Sequence, residues 1–363
     1  MPEISHNPSM SIPTVIAVDA MGGDYAPAEI VYGVAQASLT TTINILLVGD
    51  PKQINAHLDE VEHNPAQIEI VPTDEWITND DVPKQVISQK PRASMLLAAQ
   101  LCGEGRAHGL VSAGNTGAYI LSAMKYIPRL PGVHKPAIAA VYPTQNVQRR
   151  TDHFALLLDV GANIHCSVED LVKFALMGKI YAADVKGVPK PTIALLNMGK
   201  EAHKGGDILT RVYSCLRAMP NINFIGNIEG NDIMKGYADV VVTEGYVGNI
   251  VMKTIEGIAE TLSHLGRYAF KHRFLWMLGL VALSSGIRQL KQITDYSEYG
   301  GAPILGFREI VIKAHGRSRA KAITNAIKVA AKTYRDGVCS TIASEIAKFD
   351  IDFHQVTAHT SST

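Results

Sequence analysis

Residues 238–257 read Ala238-Asp239-Val240-Val241-Val242-Thr243-Glu244-Gly245-Tyr246-Val247-Gly248-Asn249-Ile250-Val251-Met252-Lys253-Thr254-Ile255-Glu256-Gly257. The β-branched run Val240-Val241-Val242 is short and apolar enough for a strand buried on both faces. A polar loop, Thr243 to Asn249, follows. Its glycines let the backbone approach a ligand, and Glu244 and Asn249 supply polar side chains. Ile250, Val251, Thr254, Ile255 and Ile258 then recur at helical spacing. The loop therefore ends at a helix N-terminus, where unpaired N–H groups and a positive dipole suit an anion.

The same phrase of apolar strand, Gly/Asn/Asp loop and helix recurs along the chain. Thr14-Val15-Ile16-Ala17-Val18 runs into Asp19-Ala20-Met21-Gly22-Gly23-Asp24, with a helix over 27–37. Strands are predicted at 43–48 and 68–71, and a helix at 91–103 leads to Gly109-Leu110-Val111 and the loop Ser112 to Ala118. Ala155-Leu156-Leu157-Leu158 leads to Asp159-Val160-Gly161-Ala162-Asn163. Ile193 to Leu196 leads to a long loop from Asn197 to Asp207, and Asn223-Phe224-Ile225 to Gly226 through Asp232. Such alternation builds a three-layer α/β/α fold on a largely parallel sheet, with ligands bound beyond the carboxyl ends of the strands. Residues 128–155, with four prolines at 128, 131, 136 and 143, are less regular and read as a crossover or an antiparallel addition.

With 363 residues and 47% hydrophobic content, the chain can bury a large core in one α/β domain over 13–351, with two lobes allowed. Residues 1–12 and 352–363 read as loose tails. Thirty-four basic residues balance thirty-four acidic ones, which argues against a nucleic-acid partner for the whole protein. The four cysteines, Cys102, Cys166, Cys215 and Cys339, form no CxxC pair, which fits a reducing cytosol and disfavours a zinc site. No secretory leader is read in residues 1–12, and no apolar run reaches the ~20 residues of a membrane span.

Residues 267–291 break the rhythm. Phe274-Leu275-Trp276-Met277-Leu278-Gly279-Leu280-Val281-Ala282-Leu283 is unbroken apolar sequence, flanked by Arg267, Lys271, Arg273, Arg288 and Lys291. It reads either as an interfacial membrane contact or as a helix buried in the core or between protomers, and a third reading has the basic flanks dock an acidic protein.

Several chemistries lack their motif: there is no GxxxxGK[ST], GxGxxG, GxSxG or HExxH. What remains is Asp, Asn, Gly and Lys at strand ends, suited to a small anion and a polarised carbonyl. Lys204, in Lys204-Gly205-Gly206, is a phosphate-binding cation or a solvated loop lysine. Asn249 is an oxyanion donor or a helix N-cap. Asp19, Asp24 and Asp159 are strand-end caps, or ligands and orienting groups.

Four of these loops, 18–24, 112–118, 159–163 and 243–249, together with Tyr299-Gly300-Gly301-Ala302-Pro303-Ile304-Leu305-Gly306 and Ala314-His315-Gly316, resemble the PlsX family of bacterial phosphate acyltransferases. The resemblance runs from about residue 14 to about 345. It departs from the family pattern at Glu244, where Asp is commoner, at Val133-His134-Lys135-Pro136, where an Asp-Arg pair is usual, and at the basic Arg317 and Arg319. The resemblance implies acyl transfer from acyl-[acyl carrier protein] to inorganic phosphate, giving an acyl phosphate for lysophosphatidic acid and phospholipid synthesis. It further implies a fold similar to isocitrate and isopropylmalate dehydrogenases, a homodimer, and a cytoplasmic enzyme held peripherally on the membrane by an apolar helical hairpin at about 262–292. Phe274, Leu275, Trp276 and Leu278 would make that contact.

By motif position Lys204 and Asn249 are the implied catalytic pair. Asp19, Gly22, Gly23, Asn115, Thr116, Asp159, Asn163 and Gly248 would shape the phosphate pocket, with no cofactor and no metal. Phosphate is itself anionic at neutral pH, so the chemistry needs no activated serine or cysteine. Two rivals are a metal- and NAD-dependent decarboxylating dehydrogenase on the same scaffold and a non-catalytic membrane scaffold for fatty-acid machinery.

Overall fold

The computed structural model describes residues 13–146, 153–272, 283 and 300–360. Their core is an eleven-stranded sheet in the order β3-β2-β1-β4-β11-β10-β5-β6-β9-β7-β8. The strands are β1 Val15–Asp19, β2 Asn44–Gly49, β3 Ile68–Pro72, β4 Gly109–Ser112, β5 Ala137–Pro143, β6 Phe154–Leu158, β7 Thr192–Leu196, β8 Asn223–Ile228, β9 Val240–Val242, β10 Ala302–Leu305 and β11 Ile310–Lys313. Seven strand pairings are parallel and three antiparallel, so the largely parallel sheet stands.

The three antiparallel pairings organise the molecule. β10 opposes β11 and β5, and β5 opposes β6. The parallel set β3-β2-β1-β4-β11 therefore points one way and the set β6-β9-β7-β8 points the other. Of the two readings of residues 128–155, the antiparallel addition is the one found: β5 is the strand through which the direction reverses.

Helices cover both faces, because the strands of each parallel set are apolar on both sides. Over one face of the whole sheet lie α3 (Pro83–Gln89), α4 (Ser94–Gly103), α5 (Thr116–Tyr126) and α9 (Gly245–His272), sharing a core with Ala17, Leu110, Val311, Leu157 and Val241. The other face is split. Around β1, β2, β4 and β11 it packs α1 (Ala28–Thr40), α2 (Pro51–Leu58) and α10 (Ala320–Arg335). Around β6, β7 and β9 it packs α6 (Val168–Asp184), α7 (Gly206–Ala218) and α11 (Val338–Thr360). The short α8 (Gly230–Ile233) follows β8.

Two expectations change. The segment from 352 read as a loose tail is helical to Thr360, since nothing after Gly337 is a glycine or proline that would stop α11. The polar loop 243–249 is only two residues long, because α9 already begins at Gly245. Asn249 is therefore its fifth residue, and the N-cap reading of that side chain is corrected. Residues 1–12 and the apolar stretch with Phe274, Leu275, Trp276 and Leu278 lie outside the described residues. Among the described ones no helix is long and apolar enough to cross a membrane.

Candidate active site

Because the two parallel sets point in opposite directions, the polar loops collect into two groups. The first surrounds Asp159, where β6 ends. This carboxylate is fully buried and accepts from five donors: Oδ1 takes the N–H groups of Ile138, Gly161 and Ala162, and Oδ2 takes both the N–H and the side-chain amide of Asn163. Burial pushes its pKa up, against the pull of those bonds. Asn163 also donates to the Pro136 carbonyl at 2.7 Å, so its amide fixes the loop before β5. Gly245 and Gly248 of α9 lie flat on this loop, with Gly248 against the Asp159 carbonyl. Glu244 has a structural partner: its Oε1 accepts the Cys166 N–H at 3.1 Å, just ahead of the Ser167–Asp170 capping box that starts α6.

Asn249 is exposed on the first turns of α9, over Gly161: a Cβ built on that glycine would stand 3.6 Å from both Cβ and Cγ of Asn249. Lys204 follows β7, which neighbours β9 in parallel, so both residues stand at one edge of the sheet. They neither hydrogen-bond nor pair with each other among the described residues. The Lys204 loop is tied down from several sides. Asn197 donates to the Lys204 carbonyl at 2.9 Å and Asn227 to that of Glu201 at 2.8 Å. Lys200 pairs with the buried Asp232 at 2.9 Å, and the Lys204 stem runs along Gly199. The half-buried ammonium of Lys204 is left with no partner among the described residues.

The second group surrounds Asp19, where β1 ends. Ser94 and Ser112 donate their hydroxyls to Asp19 at 2.6 and 2.7 Å, and Met21 its N–H at 3.2 Å. Gly22 sits on Gly114, bringing the Gly22-Gly23 turn beside the start of α5. There Asn115 is the N-cap, accepting from the Ala118 N–H, and Thr116 is the exposed first helical residue. Asp24 joins this group by accepting from Asn79 at 3.0 Å and donating its N–H to Gly316. The eight residues expected to shape one pocket are thus divided: Asp19, Gly22, Gly23, Asn115 and Thr116 in one group, Asp159, Asn163 and Gly248 in the other. α9 connects the two. It starts on the Asp159 loop, and about 16 Å further along, at 1.5 Å per residue, Glu256 and Lys253 enter the electrostatic surroundings of His315 and Lys313. Arg317 closes the link on Glu260 at 2.7 Å.

Residues 14–341 match the family described as fatty acid synthesis protein. The phosphate acyltransferase of Dictyoglomus turgidum is 45% identical over 319 residues, 87% of this chain and 93% of its own length. That of Desulfitobacterium hafniense strain Y51 is 42% identical over 335 residues, 92% and 98% of the two chains.

The chain belongs to the phosphate acyltransferase family, PlsX.

The backbone of this family member is also similar to a phosphotransacetylase from Streptococcus pyogenes, with TM-score 0.60, 16% identity and coverage of 89% and 94%. A branched-chain phosphotransacylase from Enterococcus faecalis V583 gives TM-score 0.54, 15% identity and coverage of 88% and 99%. At such identities the likeness concerns the fold alone.

For a phosphate acyltransferase the state of the thiols is informative. Burial pushes Cys166 and Cys339 up to about 12, and raises Cys102 and Cys215 as well. None is held as a thiolate, so none is primed as a nucleophile. Among the described residues no three His, Cys, Asp or Glu side chains form a metal-binding group.

Sequence reasoning missed Ser94, Ser112 and Lys313. The serines carry no signal, being ordinary residues at a helix start and a strand end. Lys313 does carry one: it ends the apolar run Ile310-Val311-Ile312 at the carboxyl end of a buried strand.

Proposed function

We propose that the enzyme transfers a fatty acyl group from acyl-[acyl carrier protein] to inorganic phosphate, forming an acyl phosphate that feeds lysophosphatidic acid synthesis. A phosphate oxygen attacks the thioester carbonyl, the C–O bond forms, and the C–S bond breaks to release the carrier thiol. Lys204 holds phosphate and offsets its charge. Asn249 donates to the oxyanion of the tetrahedral intermediate, while the loops at 19–23, 115–116 and 159–163 position the anions. The observation that carries this reading is the Lys204 ammonium, without a partner among the described residues, on a loop held from four sides and at the same strand-end edge as Asn249.

Bringing two anionic partners together and stabilising the oxyanion are the main costs of the reaction, and a missing oxyanion donor typically costs roughly a hundred- to thousandfold in rate. The test is phosphate-dependent release of carrier thiol from acyl-[acyl carrier protein]. Asn249→Ala is expected to lower kcat by about that factor, and Lys204→Ala to lower it at saturating phosphate. Activities within a few-fold of wild type in both variants would sink the assignment.

The same proposal includes a homodimer, peripheral membrane association through Phe274, Leu275, Trp276 and Leu278, a cytoplasmic location, and kinship of the scaffold with isocitrate and isopropylmalate dehydrogenases. Exposed Ile258, Leu262, Leu265 and Tyr268 on the later turns of α9 support an apolar contact on the approach to that segment. Leu275→Glu with Trp276→Glu should abolish liposome binding and leave a folded, soluble enzyme. Insoluble or unfolded protein would instead place the segment in a core.

A further inference from the structure

Asp19, Ser112 and Lys313 stand side by side on one face of the sheet. Side chains alternate along a strand, and Ala17, Leu110 and Val311 belong to the core beneath α4, α5 and α9, so the residues two further on share that face. Register places Lys313 beside Ser112, and the Ser112 hydroxyl in turn donates to Asp19. Lys313 is 8% exposed. An ammonium has three N–H donors, and among the described residues this one gives a single hydrogen bond, to the Ala314 carbonyl at 2.5 Å.

The neighbouring carboxylate does not take the others. Asp19 accepts instead from Ser94 and the Met21 N–H at Oδ1 and from Ser112 at Oδ2, and among the described residues no carboxylate lies within ion-pair distance of Lys313. Asp24 is engaged with Asn79. Burial pulls the Lys313 ammonium down to about 8; Asp19 and Asp24 oppose that pull through space, and Lys253 adds to it. A buried cation without a hydrogen-bonded counterion costs several kcal/mol. For a residue at the carboxyl end of a parallel strand, beside the Gly22-Gly23 turn and the start of α5, that cost has an obvious beneficiary.

We propose that Lys313 is a second anion ligand of this enzyme, binding a phosphate group brought by a substrate: inorganic phosphate itself, or the phosphate-bearing arm of the acyl donor. This rests on the acyl-to-phosphate reading above and adds a cation in the other strand-end group, the one without Lys204.

Lys313→Met, Lys313→Gln and Lys313→Arg are compared with wild type in the thiol-release assay. Thermal midpoints are recorded alone, with inorganic phosphate and with the acyl donor. The Met and Gln variants should fold with midpoints at or above wild type without ligand, since removing an unpaired buried charge relieves its desolvation. They should lose the rise in midpoint that one of the two ligands gives wild type, and KM for that ligand should rise roughly ten- to hundredfold. Arg should recover part of the loss. A change confined to inorganic phosphate identifies that anion as the ligand, and one confined to the acyl donor identifies its arm. KM values and ligand-induced midpoint shifts like those of wild type in both variants would overturn the proposal. So would failure of both variants to fold, which would make the lysine structural. If wild type shows no phosphate-dependent turnover, the acyl-transfer reading fails, and the midpoint shifts still decide Lys313.

Discussion

The α-carbon of Gly248 rests on the carbonyl oxygen of Asp159, leaving no room there for a side-chain carbon. This contact lets α9 begin within two residues of β9 and holds Asn249 over the Asp159 loop. Gly248→Ala forces the helix off the loop. It is expected to cost about 1–3 kcal/mol of stability, as overpacking of a closed site does. Activity should fall further than the loss of folded protein explains, because Asn249 moves with the helix. Thermal denaturation and kcat measured on the same preparation separate the two effects.

Asn197 is the strut under the Lys204 loop. Its amide donates to the Lys204 carbonyl, its Oδ1 accepts from the Met198 N–H at 2.8 Å, and Gly205 is packed against it. Asn197→Ala should cost about 1 kcal/mol of stability per lost bond. It should also lower kcat/KM by about tenfold, because the lysine loses its fixed position. Normal kinetics in a destabilised variant would show that the loop needs no such support.

Glu309 is half-buried at the start of β11, and burial alone raises its carboxyl from 4.5 to about 7. The folded state therefore disfavours the ionised form. The cost is absent below pH 4.5, grows as pH rises from 4.5 to 7, and is fully present above 7. Glu309→Gln should stabilise the enzyme above neutrality by on the order of 1 kcal/mol, the full shift being discounted for the solvent the group still meets. It should make little difference at pH 4.5. Melting curves of the two proteins across this range should converge at the acid end.

With every thiol raised by burial, alkylation should spare the enzyme. Iodoacetamide near neutral pH is expected to leave thiol release from the acyl donor unchanged. Rapid loss of activity traced to Cys166, which lies in the field of Asp159, would reopen a covalent mechanism.

The strand-loop-helix phrases were legible because each depends only on neighbours in the chain. Val240 to Val242 can do little but form a buried strand, and the helical spacing after Asn249 needs only residues three and four apart. Even the five-residue shift of the helix start to Gly245 was within reach, since glycine tolerates the close approach that starts α9 there. β10 and β11 were harder, being four residues each: β10 was seen only as part of a recognised block, and β11 falls between two of them.

What the sequence by itself determined is the list of polar strand ends and the family they belong to: local pattern and residue identity suffice for both. Only the tertiary structure decided how those ends are grouped. Pairing direction depends on which edges meet, and the antiparallel insertion of β10 and β5 sends Asp19 and Asp159 to opposite-pointing strand sets. The same pairing made a core-facing lysine of Lys313. Alone it reads as the last residue of an apolar run; folded, it is a buried cation with no ion-pair partner among the described residues, beside a carboxylate that Ser112 and Ser94 engage.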